Sequence, residues 1–391
     1  MSKALNNVRK LNAIIYASDY GAKADGVTND ATALQAAITA TVATGGLLML
    51  NPGTYELGTA SLNVTGSCQI EGIGATLRRS ADASLPLLNV TGSNVSITDI
   101  AIVSTFAGAP AVSVNNCALM YAGGTNVHAE NVTVTGRFYI GICMQSVVDS
   151  TITDCRVKGV RNRAYYLYLD WSDVSISDCF ADGAETGGTP YCDYGFNLNP
   201  GGLFVPSRTN ITGCTATNMT SQGFAVSERA IYTNIANCNA QNVTGGPGFL
   251  VQRANGFDQT DTNISNCQAI SCQIGFYVTE CVFVNFTGCI ALLSTTDGIF
   301  ISDSEYIGIA NCVSRDNATN GISLVASTAN SVARVTIIGN RCTTNGGTGI
   351  VSNANCYGLA VSANIALANT TTQINILGTA NQVGNGANIV V

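Results

Sequence analysis

Through most of its length the chain repeats one rhythm. Three to six residues alternate apolar and polar, then Asn, Gly, Ser or Asp interrupts, then another short run follows. Runs rich in Val, Ile, Thr and Phe, alternating with period two and bounded by turn residues, predict short half-buried strands. No unit carries apolar residues at the spacing of an amphipathic helix, which argues against leucine-rich and other α/β repeats. An N-(I/V)-x-x-C element recurs, with its cysteine at Cys179, Cys214, Cys238, Cys267, Cys289 and Cys312. A Gly followed by Phe or Ile recurs at Gly195, Gly223, Gly248, Gly275, Gly298, Gly321 and Gly349, at intervals of 23 to 28 residues. A unit this short cannot bury its apolar face alone, so neighbours must stack. The expected fold is all-β: a single-stranded right-handed parallel β-helix, one turn per repeat. Turns rise about 4.8 Å, so about 12 of them make a rod on the order of 60 Å long.

Stacking assigns the cysteines. Cys155 and the six repeat cysteines occupy one inward position on successive turns, where a buried thiol behaves as a small hydrophobe. They lack the paired CxxC spacing of a metal centre, and no metal or cofactor is expected. Near the start, Asn29 or Asp30 can cap a helix from about Ala31 to Ala43, with Leu34, Ala37 and Ile38 as its apolar stripe. Such a helix would cover the open end of the solenoid. Residues 1–18 read as an extension or attachment segment, and 19–391 as the β-helix domain.

Composition narrows the function. With 46% hydrophobic and only 10% charged residues the chain is not disordered. Its apolar runs are too short to span a membrane. A net charge of −7 argues against general nucleic-acid binding. One local patch, Arg156, Lys158, Arg161 and Arg163, holds four of the 17 basic residues. No signal-peptide core is evident at the N-terminus, so synthesis in a cytoplasm is expected.

Asp19-Tyr20-Gly21-Ala22 with Asp25, Gly26 and Asp30, followed by Pro52, Gly53 and Tyr55, resembles the opening of the pectate-lyase-like β-helix superfamily. Its members include phage tailspike depolymerases, polygalacturonase-like hydrolases, pectate lyases and mannuronan C5-epimerases. Asp25 and Asp30 read as turn and capping residues. A second resemblance covers about three turns: Tyr194-Gly195-Phe196 and Val251-Gln252-Arg253 are similar to the active-site turns of mannuronan C5-epimerases. In that family Tyr-Gly-Phe continues as Asp-Pro-His-Glu. Here it continues as Asn197-Leu198-Asn199-Pro200, and an amide cannot act as a base. The only histidine, His128, lies several turns earlier. The tailspike resemblance implies a homotrimer on a phage tail, a polysaccharide partner, acidic or neutral, and contact with other tail proteins.

Alternation places Asn197, Asn199, Leu250, Gln252, Tyr277 and Thr279 on the outward face, and the position ending each strand reads Pro200, Glu228, Arg253, Glu280, Asp303. One reading is an ion ladder around Arg253. The other is a carboxylate site for glycan cleavage, because adjacent turns place Glu280 and Asp303 near the roughly 5–5.5 Å of retaining glycosidases. Glu228 and Glu280, two turns apart, approach the roughly 6.5–9.5 Å of inverting ones. Tyr166, Tyr168, Trp171, Tyr194, Tyr277, Asn197, Asn199 and Gln252 are candidates to contact sugar, whose rings suit amphipathic aromatics. Arg161 and Arg163 could hold an acidic sugar's carboxylate. The leading expectation is a tailspike-like protein that binds and cleaves a bacterial surface polysaccharide by carboxylate-based hydrolysis. The alternatives are a catalytically silent receptor-binding β-helix, and a lyase or epimerase using Tyr194 or Tyr277 with Arg253.

Overall fold

The computed structural model describes residues 13–184, 191–201, 206–227, 230–253, 261–327, 332–378, 381–383 and 388–390. The chain winds as a parallel β-solenoid of about 14 turns, two more than the repeat count suggests, with one α-helix among the described residues, near the N-terminus. Every strand pairing is parallel and joins one turn to the next, as in Phe196↔Phe224 and Phe224↔Phe249. Each turn contributes strands to three faces. The face that matters below, here termed the site sheet, runs through Ile140–Thr153, Arg163–Ser177, Tyr194–Asn199, Gln222–Ser227, Pro247–Gln252, Ile274–Thr279 and Ile299–Ser302.

The repeat motif now has a physical cause. The residue before each ladder cysteine sits in the left-handed region, at φ between +51° and +65° for Asp154, Asp178, Gly213, Asn237, Asn266, Gly288 and Asn311. Asn, Asp and Gly tolerate that conformation best. The following thiol is thereby turned inward. All fifteen cysteines are free and buried, and burial pushes the Cys272 and Cys281 thiols up to about 12. Above Cys312 the same inward column continues as asparagines. Asn340 accepts from the Cys312 N–H at 2.8 Å, and its amide donates to Asn364 at 3.0 Å, which donates to Asn388 at 3.2 Å. A second amide ladder runs Asn317, Asn345, Asn369 with contacts of 2.9 and 2.8 Å.

Under the site sheet, Tyr165, Phe196, Phe224, Phe249 and Phe276 stack with ring centroids 4.6 to 4.9 Å apart. The paired glycines let these turns close. A Cβ at Gly223 would lie 2.6 Å from the Gly248 carbonyl and 2.8 Å from the Ala240 Cβ.

The helix spans Ala31–Thr44 and buries Leu34, Ala37 and Ile38 against the first turns. Its N-cap, Asp30, turns its carboxylate backward, accepting the Lys23 and Ala24 N–H groups at 2.7 and 3.1 Å. Asn29 accepts the Ala31 N–H instead. Asp25 accepts the Val27 and Thr28 N–H groups, and these bonds hold its carboxyl down to about 2. Both aspartates are spent on turns. Pairing begins earlier than residue 19, since Ile14–Tyr16 already lies on Leu47–Met49.

Because every thiol is shielded by the packed interior, the native protein should leave all fifteen cysteines unreactive to a thiol reagent. Denaturant should release fifteen equivalents. Rapid labelling of several cysteines before unfolding would contradict the ladder.

Candidate functional site

The outward side of the site sheet divides into two patches. The first lies on turns 163–168 and 194–199. Arg163 lies across it, its guanidinium carbon 4.3 Å from the Tyr166 ring centroid and 5.1 Å from that of Tyr194. Its Nε donates to the Asn197 side-chain oxygen at 2.8 Å, and an Nη donates to Asn162. Tyr168 stacks on Tyr166 at 5.1 Å. Tyr168, Tyr194 and Asn199 are half-buried. Behind the cluster, Asp193 accepts from Asn162 at 2.7 Å and Thr220 at 2.8 Å. Five of the residues expected to contact sugar, together with Arg163, therefore stand side by side.

Outward does not mean exposed. Tyr166 is only 3% exposed and joins Met120, Ile140 and Cys143 in a small second core on the outer side of the sheet. Asn197, Ala225, Ser227 and Leu250 are also buried. Turns so closely spaced let a long side chain cover a short neighbour, as Gln252 does when it donates to the Ser227 hydroxyl at 3.3 Å. The face opens further up, where Tyr277 leans on Phe300 with centroids 5.2 Å apart.

Trp171 requires a correction. It is 2% exposed, and its indole N–H donates to Thr209 at 2.8 Å. Trp171 has the parity of the inward Tyr165 and Leu167, and it lies in the core beyond a left-handed corner at Leu169 (φ +62°). Arg161 sits on the corner before Arg163, its N–H on the Phe138 carbonyl. His128 has both ring nitrogens engaged, by Thr151 and Asn126 at 2.8 Å each.

The second patch is the charged column. Arg253, Glu280 and Asp303 follow one another on successive turns, as shown by their N–H groups bonding to Thr279, Ser302 and Val325 carbonyls. Glu228 lies outside the described residues. Glu280 is exposed, while Asp303 is half-buried and accepts the Ser327 N–H at 2.6 Å. Both adopt left-handed backbone, φ +55° and +45°. Glu280 and Asp303 stand four and five turns above Arg163, roughly 20 Å away. Arg253 is likewise two turns above Tyr194 rather than beside it.

Three residues beyond each carboxylate lies an aromatic that the sequence reading missed. Phe283 and Tyr306 stack at 4.8 Å, and Arg334 lies 4.9 Å over Tyr306. They are 43% and 41% exposed, at φ +60° and +55°. The corresponding corner on other turns carries Asp149, Asp173, Arg208, Tyr232, Asp261, Arg334 and Gly358, so the turn calls for left-handed backbone, and Tyr232 is a further exposed aromatic there. The only sequence signal was an aromatic where most other turns place Asp, Arg or Gly.

Residues 14–80 match the family described as rhamnogalacturonase A/epimerase, pectate lyase-like, and residues 230–389 match the right handed beta helix region. With the solenoid described above, these matches define the fold as a right-handed parallel β-helix whose opening, residues 14–80, is pectate-lyase-like. No curated protein sequence matches it. Among solved structures it is similar to the A-module of the mannuronan C-5 epimerase AlgE6 of Azotobacter vinelandii, at 16% identity and a TM-score of 0.61, covering 96% of this chain and 98% of that one. It is similar to the Dettilon tailspike protein at 13% identity and a TM-score of 0.62, over 93% and 68% of the two chains. It is also similar to PfbA, a surface adhesin of Streptococcus pneumoniae, at 13% identity and a TM-score of 0.56, over 90% and 92%. Likeness at these identities is likeness of fold.

Trp171→Phe should cost roughly 2–4 kcal/mol, from the void and the unpaired Thr209 hydroxyl it leaves. Its glycan affinity should match the native protein's. Urea titration and a binding isotherm check this, and a selective loss of binding would place Trp171 on the face after all.

Proposed function

We propose that this protein binds a bacterial surface polysaccharide along the outward face of the site sheet and hydrolyses it with Glu280 and Asp303. In this reading it acts as a tailspike-like component of a phage virion, assembled as a homotrimer. The observation that carries the reading is the pairing of two patches on one rigid solenoid, one on the site sheet and one at and just beyond its edge. Arg163, Tyr168 and Tyr194 offer a cation and hydroxyl-edged rings at one end. Glu280, Asp303 and the Phe283–Tyr306 stack offer carboxylates beside exposed aromatics at the other. Sugar rings, with apolar faces and polar rims, suit such surfaces. Similarity to a mannuronan epimerase module supports a glycan partner.

For cleavage, Asp303 is the fixed partner, anchored by the Ser327 N–H, and Glu280 is the longer, solvent-exposed acid. Their adjacent turns suit the close spacing of a retaining mechanism, in which one carboxylate attacks the sugar carbon and the other protonates the leaving oxygen. Arg253, on the turn below, supplies positive charge to the column.

A second reading, elimination from an acidic glycan, is favoured by the position of Arg163. A guanidinium beside the Tyr194 phenol could neutralise a uronate carboxylate while the phenolic oxygen takes the neighbouring proton. In this reading Arg163, not Arg253, partners Tyr194.

Product analysis of degraded polysaccharide separates the readings. Hydrolysis predicts new reducing ends without unsaturated uronate, and at least about a hundredfold slower cleavage in Glu280→Gln and Asp303→Asn with the fold intact. Full activity in both variants overturns the carboxylate mechanism. Unsaturated product that disappears in Tyr194→Phe establishes elimination instead, and tight binding without cleavage establishes a receptor-binding role.

A further inference from the structure

Away from the outward face, a cavity of about 320 Å³ opens at the corner where the chain enters the site sheet. Its lining includes Ser104, Thr105, Thr135, Arg137, Lys158 and the bare backbone of Gly159. Ser104 is 7% exposed, and its hydroxyl has no hydrogen-bond partner among the described residues. One turn below, in register with Ser104, Arg79 is 1% exposed, and none of its three guanidinium nitrogens has a partner among them. The Arg79 guanidinium lies 5.7 Å over the Phe138 ring, below the cavity rather than in its lining, whereas a buried hydroxyl left unmatched is costly.

The walls are cationic. Arg137 spends one Nη on the carbonyls of Ala107 and Gly108, and its guanidinium lies 5.9 Å over the Tyr191 ring. Lys158 reaches Asp182 at 3.0 Å. That carboxylate is already held by the Asn218 amide and the Ala184 N–H, and it does not line the cavity. Two cations, Arg137 and Lys158, thus line a space bordered by hydroxyls. The glycine corner keeps the space clear: a side chain at Gly136 would run into the Ser104 carbonyl, and Gly159 meets nothing closer than 3.9 Å.

We propose that this cavity is a binding site for a compact oxyanion: a carboxylate, phosphate or sulfate, free or carried on a sugar. Ser104, Thr105 and Thr135 supply hydroxyl donors, and Arg137 and Lys158 supply charge. The assignment does not rest on the outward face, because small ions test it without any polysaccharide.

Calorimetric titration of the intact protein with inorganic phosphate, glucuronate and glucose tests it. The expected result is saturable binding of phosphate or glucuronate and none of glucose. Arg137→Gln, Lys158→Gln or both should weaken anion binding at least about tenfold. Ser104→Ala removes a hydroxyl that has no partner among the described residues, so it should weaken binding while leaving the unfolding temperature unchanged or raised. Stronger binding of glucuronate assigns the site to a sugar-borne acid, and stronger binding of phosphate assigns it to a free oxyanion. Absence of saturable anion binding, or binding unaffected by both charge substitutions, overturns the proposal.

Discussion

The in-register stacking of like side chains, one strand spacing apart, is the constraint on which the whole structure depends. A parallel turn lies about 4.8 Å above its neighbour, so each inward position must tolerate a copy of itself at that distance. Flat rings do, and the Tyr165–Phe276 stack holds centroids 4.6 to 4.9 Å apart. Thiols do as well, and so do asparagine amides, which donate to one neighbour while the oxygen accepts from another. Like charges do not, which accounts for a chain with only 10% charged residues. Where charges occur in a column they alternate or are separately held, as Arg208 with Asp173 and Asp303 with the Ser327 N–H.

The same constraint shapes function. A solenoid presents a long rigid face, and its chemistry is spread along the axis rather than gathered at one point. The Arg163 cluster and the Glu280–Asp303 column are separated by turns whose outward residues are small or covered, such as Ala225 and Ser227. A ligand that uses both must be a polymer. That requirement, more than any single residue, connects the geometry to a polysaccharide.

The sequence carried the fold plainly because the turn chemistry repeats. Residues at φ near +55° before each cysteine select Asn, Asp or Gly, and that choice is visible as the N-(I/V)-x-x-C element. The capping helix announced itself through Leu34, Ala37 and Ile38. The asparagine ladder was harder to see, since Asn340 and Asn364 replace cysteine at an inward position where a polar residue reads as a loop. Site residues were less legible still. Alternation could not show that Arg163 and Tyr168 cover Tyr166, and Trp171, which has the parity of the inward Tyr165 and Leu167, lies in the core with them. Phe283 and Tyr306 follow turns of irregular backbone, where period-two reasoning does not apply.

The central claim is that a glycan lies along the outward face from Arg163 to Asp303. A crystal structure of the protein soaked with an acidic oligosaccharide tests it most directly. The account predicts sugar density against Tyr168, Tyr194 and Arg163, running toward Glu280. Density confined to another face of the solenoid, with this one bare at saturating ligand, would contradict it.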